Sequence, residues 1–143
     1  MTVIDAPGAG TAPGTGTVVN GINPAGTIEG FFAESNLNIP NQGFARDTKG
    51  TFTTFDAPGA AAIGTNPLSI NAHGVITGWY TDASNVFHGF VRANDGTITT
   101  IDVPGAGTGP FQGTQAVATN PAGAITGFYF DASNVLHGFL RTP

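Results

Sequence analysis

The chain has 143 residues with 22 Gly, 10 Pro and no Cys, and only 9% of its residues are charged. A net charge of −5 with four Lys and Arg in total provides no basic face for phosphates, so nucleic-acid binding is excluded and contact with anionic membranes is disfavoured. The missing cysteines exclude disulfides and thiolate metal sites, while the length and 40% hydrophobic content predict one folded domain.

The first predicted element is a single strand at residues 2–5, Thr-Val-Ile-Asp, followed by a Gly- and Pro-rich loop. The element returns as Thr-Thr-Phe-Asp at 53–56 and as Thr-Thr-Ile-Asp at 99–102, each time before Pro-Gly-Ala. Residues 1–20 lack a basic start and a continuous apolar stretch, so no signal peptide is visible.

A longer segment is also repeated further along the chain. Residues 76–92 read ITGWYTDASNVFHGFVR, residues 125–141 read ITGFYFDASNVLHGFLR, and a diverged copy at 28–46 reads IEGFFAESNLNIPNQGFAR. Gly30, Gly78 and Gly127 mark the same position at spacings of 48 and 49 residues. A unit of ~40–50 residues with several short strands is typical of a β-propeller blade.

One repeat is predicted to hold four strands, near residues 66–71, 75–81, 86–92 and 97–103. The turns between them carry Asn, Asp and Gly, which supply the left-handed positions of tight hairpins. Because these connections are short, we expect an antiparallel meander. Gly78 and Gly127 lie in the middle of a predicted strand, where a glycine usually marks close backbone approach.

The predicted repeats cover about residues 6–56, 57–102 and 103–143, so the fold class is all-β with three four-stranded blades. Residues 2–5 are a fourth strand without its first three, and the last repeat ends on its third strand, at 135–141. Since propellers typically have four to eight blades, we expect two copies to close a six-bladed ring. Residues 2–5 of each copy would complete the last blade of the other in a two-fold homodimer.

Two other folds also fit three repeats of this length. A β-trefoil or a β-prism would each be a closed monomer of about this size. The meander turns and the offset ends favour the propeller over both.

The repeat combines Asn-x-x-Gly-x-Ile-x-Gly, then His-Gly-Phe, then Gly-Thr-x-Thr-Thr-x-Asp-x-Pro-Gly-Ala. This string resembles the HAF repeat of bacterial extracellular proteins, with His88-Gly89-Phe90 and His137-Gly138-Phe139 at its signature. The first copy departs from it, with Gln42-Gly43-Phe44. The resemblance implies propeller-like arrays on exported bacterial proteins and brings no catalytic residues. We therefore expect an extracellular or exported protein, with a cytoplasmic location left open.

Carboxylates recur at two places in the repeat. Asp56 and Asp102 end the fourth strand, whereas Asp82 and Asp131 begin the turn after the second strand, with Glu34 nearby in the first copy. In a propeller both loops lie on one face, which would be acidic and rich in glycine. Such carboxylates suit glycoside hydrolysis or calcium binding. An Asp before a turn also caps backbone amides, and this local role explains all copies at once.

Aromatic and histidine positions complete the candidates. Trp79, the only Trp, could stack on a sugar, although aromatics at repeated strand positions more often belong to the core. Zinc needs three or four convergent ligands, and His73, His88 and His137 are spread over separate elements. We therefore expect no metal site, no cofactor and no catalytic residue.

These patterns predict a non-enzymatic binding or scaffold module, with carbohydrate as the leading ligand class and a second copy as the partner. The candidate ligand-binding residues are Glu34, Asp56, Trp79, Asp82, Asp102 and Asp131. One alternative is a polysaccharide-acting enzyme that uses the acidic loop face. Another is a structural or engineered propeller fragment without a ligand.

Overall fold

The computed structural model describes residues 1–36 and 38–143, which form eleven strands and no helix. The all-β prediction is thereby confirmed. With no helix among the described residues, none is available that could span a membrane. The diverged copy of the repeat at 28–46 is described apart from Leu37.

The first four strands form one antiparallel sheet. They are β1 (Gly16–Ile22), β2 (Ile28–Ala33), β3 (Gln42–Arg46) and β4 (Phe52–Phe55), paired in sequence order. Tight turns that begin at Asn23 and Asp47 join β1 to β2 and β3 to β4. We call this sheet the first meander.

The next strands repeat the pattern as the second meander. They are β5 (Ala61–Ile70), β6 (Ile76–Thr81), β7 (Phe87–Arg92) and β8 (Ile98–Ile101). The third meander contains β9 (Gly113–Thr119), β10 (Ile125–Phe130) and β11 (Leu136–Arg141). A parallel bridge between Phe87 and Gly113 joins these two meanders into one mixed seven-stranded sheet. The strands of the described chain do not close into a barrel.

Two of the predicted strands differ from the structure. The strand predicted at 66–71 begins earlier, because β5 extends back to Ala61, where it pairs with Thr81. Residues 2–5, predicted as a strand, form none in this chain. A strand requires a hydrogen-bonded neighbour, and these residues have no ladder partner among the described residues.

Apolar clusters lie between successive meanders. Phe55 and Ala45 of the first meander pack with Ile76, Tyr80 and Phe90 of the second. Between the second and third meanders, the equivalent cluster combines Ile101 and Val91 with residues of β9, β10 and β11, namely Ala116, Ile125 and Phe139. A further cluster covers the opposite face of the first meander, where Ile4 and Ala6 pack on Ile28, Phe32 and Phe44.

The repeated glycines lie where strands come closest. A Cβ at Gly78 would overlap the backbone of Asn66 on β5, and the same overlap would occur at Gly30 against Val18 and at Gly127 against Gln115. The register of the first strand pair shifts next to this position in all three meanders. The predicted close backbone approach is therefore confirmed.

Candidate functional site

Successive meanders are joined by the same side-chain contact. The hydroxyl of Thr65 on β5 accepts the backbone N–H of Ala57 at 2.9 Å, and Thr114 on β9 accepts that of Val103 at 3.0 Å. Thr17 on β1 accepts the N–H of Ala6 at 2.8 Å. The end of β4 is thereby held against the second meander and the end of β8 against the third. The residues before Ala6 are held against the first meander in the same way.

A ladder of three asparagines crosses all three meanders. Asn23 donates its side-chain amide to the carbonyl of Asn71 at 3.3 Å, and Asn71 donates to the carbonyl of Asn120 at 3.0 Å. The side-chain oxygen of Asn71 also accepts the N–H groups of His73 and Val75, which closes its own turn. Asn23 and Asn71 thus each combine a turn with a link to the next meander.

A parallel bridge is the third contact that recurs. Asn41, before β3, bridges to Gly64 on β5, and Phe87 bridges to Gly113 in the same way. The backbone of Asn41 makes two hydrogen bonds here. Its N–H donates to the carbonyl of Ile63 at 3.0 Å, and its carbonyl accepts the N–H of Thr65 at 2.8 Å. Both interfaces therefore have the same geometry.

In the second meander an imidazole lies between two carboxylates. His88 Nδ1 is 3.0 Å from Asp102 Oδ1, and His88 Nε2 is 3.6 Å from Asp82 Oδ2. The Tyr80 ring stacks on His88 with centroids 5.0 Å apart. Tyr80 faces His88 in the β6–β7 ladder, and Asp102 directly follows Ile101, the last residue of β8, so the three side chains form a row across these strands.

The third meander has the same row without its last member. Tyr129 stacks on His137 with centroids 5.0 Å apart, and His137 Nε2 lies 3.3 Å from Asp131 Oδ2. No carboxylate of the described chain lies against His137 Nδ1, where Asp102 faces His88.

In the first meander a glutamine replaces the histidine of the histidine–aspartate pair, and the pair is still in contact. Gln42 stands where the other copies have histidine, and its side-chain amide donates to Asp56 Oδ2 at 3.0 Å. Glu34 is half-buried at the position of Asp82. The sequence-predicted carboxylates Asp56 and Asp102 thus have equivalent partners, while Glu34 makes no side-chain hydrogen bond within the described residues.

The turn aspartates hold their own turns. Asp82 Oδ1 accepts the N–H groups of Ser84 at 2.8 Å and Val86 at 2.9 Å, and Asp131 makes the same pair of bonds in its copy. The Val86 N–H lowers the pKa of the Asp82 carboxyl, and the Val135 N–H lowers that of Asp131. The local capping role of these residues is therefore confirmed.

Trp79 belongs to an aromatic cluster rather than to the row of carboxylates. Its ring packs edge-on against Phe87 with centroids 5.2 Å apart, and Phe111 and Phe130 approach Phe87 at 6.3 and 6.4 Å. Phe111 is 57% exposed and has a φ of 62°, a left-handed conformation that favours glycine. Gly14 occupies the same place in the first loop, with a φ of 83°.

At the outer sides of the first and third meanders, apolar side chains are exposed, whereas residues at equivalent repeat positions are buried between meanders. Leu136 is 58% exposed, whereas Phe87 at the same repeat position is 9% exposed. Leu140 is 66% exposed, whereas its counterparts Ala45 and Val91 pack into the clusters between meanders. At the other end Val18, Val19 and Ile22 of β1 are exposed. Such patches usually mark an interaction surface.

A cavity of about 420 Å³ lies beside the outer edge of β11. Its walls are residues 100–104, at the end of the second meander, and residues 139–141. β11 pairs only with β10, so its other edge is unpaired among the described residues. The cavity therefore lies between the end of the second meander and β11.

Glu29 on β2 is a buried carboxyl without a partner. It is 0% exposed, and no hydrogen-bond partner reaches either side-chain oxygen from the described residues. The carboxyl lies against Gly21, and burial raises its pKa to about 7. The other copies have Thr77 and Thr126 at this position.

The sequence contained two signals that the site predictions missed. The imidazole–carboxylate pair was predictable from the repeat, because Gln42 and Asp56 have the same separation as His88 and Asp102, and a hairpin places them side by side. Glu29 was visible as the one acidic residue at a position otherwise occupied by threonine.

No group of three or more His, Asp or Glu within residues 1–36 and 38–143 is arranged to hold a metal ion. Comparison with protein-family models, with curated proteins and with solved structures finds no significant match to this chain.

Replacing Asn71 with alanine should destabilise the protein by about 2 kcal/mol, because two turn amides and the carbonyl of Asn120 lose their partner. Urea unfolding followed by fluorescence of Trp79 measures the change. Asn38→Ala is the matched control, since among the described residues the Asn38 side chain bonds only Asn36, on the surface. A loss as small as that of the control would contradict the structural role of the ladder.

Proposed function

We propose that this chain is a non-enzymatic β-propeller module that self-assembles, with two copies closing a ring of six meanders. The asparagine ladder carries the proposal. Asn23 and Asn71 each donate to the next meander, while the amide of Asn120 reaches no acceptor among the described residues. The carbonyl of Asn23 accepts only Gly26 N–H from this part of the chain. A second copy that continued the same step would join this donor to this acceptor.

Three recurring contacts within the chain indicate which residues the same step would bring together between copies. Leu136 and Gly16 stand at the repeat positions of Phe87 and Gly113, which form a parallel bridge within the chain. Leu136 would therefore bridge to Gly16 of the second copy. His137 and Asp5 stand at the repeat positions of His88 and Asp102, so His137 would contact Asp5 of that copy. The exposed Leu140 would pack beside Ile28 of that copy, as Val91 packs near Ile125 within the chain.

The strand register of the proposed junction follows from the chain itself. Val91 faces Thr99 in the β7–β8 ladder, and Ala45 faces Thr53 in the β3–β4 ladder. The equivalent pair between copies is Leu140 and Thr2. Residues 2–5 would then form the missing strand, in the cavity beside β11.

A disulfide cross-link tests this proposal, because the chain has no cysteine of its own. Directly facing residues of an antiparallel pair have Cα atoms about 4.5–5.5 Å apart, within the range of a disulfide. The double variant Thr2→Cys, Leu140→Cys should therefore oxidise to a covalent pair of chains on a non-reducing gel. The variant Val3→Cys, Leu140→Cys is the matched control, since neighbouring side chains of a strand point to opposite faces.

The outcomes separate the possible arrangements. A two-chain band for the first variant and none for the control supports strand exchange in the proposed register. A disulfide within a single chain, or an unlinked chain after oxidation, would rule the ring out.

A further inference from the structure

Two cavities of the chain are built from equivalent loop residues. One, of about 110 Å³, lies between the second and third meanders and is lined by Asp102, Ala106, Gly107, Thr108 and Gly113 on its loop side. The other, of about 460 Å³, lies at the start of the chain and is lined by the same repeat positions, Asp5, Ala9, Gly10, Thr11 and Gly16. We call them the inner cleft and the terminal cleft.

The two cavities differ in their opposite wall. In the inner cleft that wall consists of Val86, Phe87 and His88 from the preceding turn and β7. The terminal cleft is lined only by residues that lie between Asp5 and Thr17. Its larger volume is that of a cleft open on one side.

The proposed ring supplies the missing wall. The residues that repeat Val86, Phe87 and His88 are Val135, Leu136 and His137, and the junction places them from the second copy against the terminal cleft. Val135 is 50% exposed in the single chain, whereas Val86 is 7% exposed at the closed interface. His137 would then face Asp5 as His88 faces Asp102 at 3.0 Å.

The chemistry of the inner cleft suits a neutral ligand rich in hydroxyl groups. Asp102 keeps free lone pairs while it accepts from His88, and the Thr108 hydroxyl both donates and accepts. Phe87 adds an apolar wall, a combination that recognises the two sides of a sugar ring. The carboxylates and the net charge of −5 disfavour an anion. The volume of about 110 Å³ is small for a ligand pocket, so only part of one sugar would enter the cleft.

We propose that each junction between copies forms a composite sugar-binding cleft, with Asp5 from one chain and His137 from the other, equivalent to the inner cleft of Asp102 and His88. This inference depends on the proposed ring. The partner copy contributes the imidazole, so the terminal cleft is incomplete in a single chain. Each ring would hold two inner and two junction clefts.

Nuclear magnetic resonance of the ¹⁵N-labelled protein tests the two clefts separately. Methyl glycosides of glucose, galactose, mannose and fucose serve as probes. The amides of Gly107 and Thr108 report on the inner cleft, and those of Gly10 and Thr11 on the junction cleft. We expect one glycoside to shift both pairs of signals over the same concentration range.

Two conservative variants provide matched controls. Asp102→Asn should weaken binding at least about tenfold at Gly107 and Thr108 and leave the response of Gly10 and Thr11 unchanged, because a charged acceptor is lost from one cleft only. Asp5→Asn should do the reverse. The solution mass of each variant shows that the ring has remained intact.

The possible failures are distinguishable. If the protein has the mass of two chains and no glycoside shifts either pair of amides, the sugar sites are wrong and the ring stands. If only the Gly107 and Thr108 signals shift in a two-chain protein, the composite cleft is wrong. A protein with the mass of one chain refutes the ring and the junction cleft together.

Discussion

Replacing Leu140 with glutamate is expected to reduce the solution mass from twice 14.4 kDa to that of a single chain. In the proposed ring Leu140 packs on Ile28 of the second copy, and burying a leucine contributes about 1.5–3 kcal/mol. The ring has two identical junctions, so one substitution removes this contribution twice. It also places an unpaired carboxylate in an apolar cluster, which costs several kcal/mol more.

Light scattering coupled to gel filtration measures this mass. Ile39→Glu is the control, because Ile39 is also an exposed aliphatic residue and lies in the segment between β2 and β3, which is two residues longer in the first copy than in the other two. Its mass should stay at two chains. Loss of assembly in both variants would show that added charge, rather than the junction at Leu140, separates the copies.

Raising the pH from 4.5 to above 7 should lower the free energy of unfolding by about 3 kcal/mol through Glu29 alone. Burial raises the pKa of this carboxyl from 4.5 to about 7 in the folded protein. Below pH 4.5 the group is protonated in both states, so no charge is buried. Between these pH values the unfolded chain releases the proton while the folded chain retains it, and stability falls at about 1.4 kcal/mol per pH unit.

Urea unfolding at pH 5 and pH 8, at one protein concentration, measures this loss. Glu29→Gln should remove most of the pH dependence, because its amide does not titrate. Glu29→Thr uses the residue that the other two copies have at this position and should behave likewise. Variants that keep the full dependence would show that another group carries it. The aspartates of the turns act in the opposite sense, since backbone N–H groups lower the pKa of Asp82 and Asp131.

The strands were predicted well where the repeated segments are bounded by recognisable turn residues. The turns at Asn71 and Asp82 were predictable because Asn and Asp side chains bond the backbone two and four residues later. The glycine at position 78 was informative for a similar local reason, since a Cβ there would meet the neighbouring strand. Both features depend on a few residues close in sequence.

Contacts between meanders were harder to predict. Nothing in the local pattern around Asn23 indicates that its amide bonds a carbonyl 48 residues away. The strand expected at residues 2–5 is absent because a strand depends on its neighbour, which no local propensity supplies. Asp82 and Asp102 were chosen as candidate residues by residue type, whereas their common contact with His88 depends on how the strands pair and was not predictable from the local sequence.

The spacing of the asparagine ladder has a consequence for how large an assembly can grow. If the junction between copies repeats the contacts within the chain, every step around the axis is the same rotation. The ring closes only if a whole number of these rotations, from one meander to the next, adds up to a full turn. The affinity between copies then determines only what fraction of the chains is assembled into rings. A matching step gives a discrete ring that higher protein concentration cannot enlarge, whereas a mismatched step would wind the same contacts into a filament.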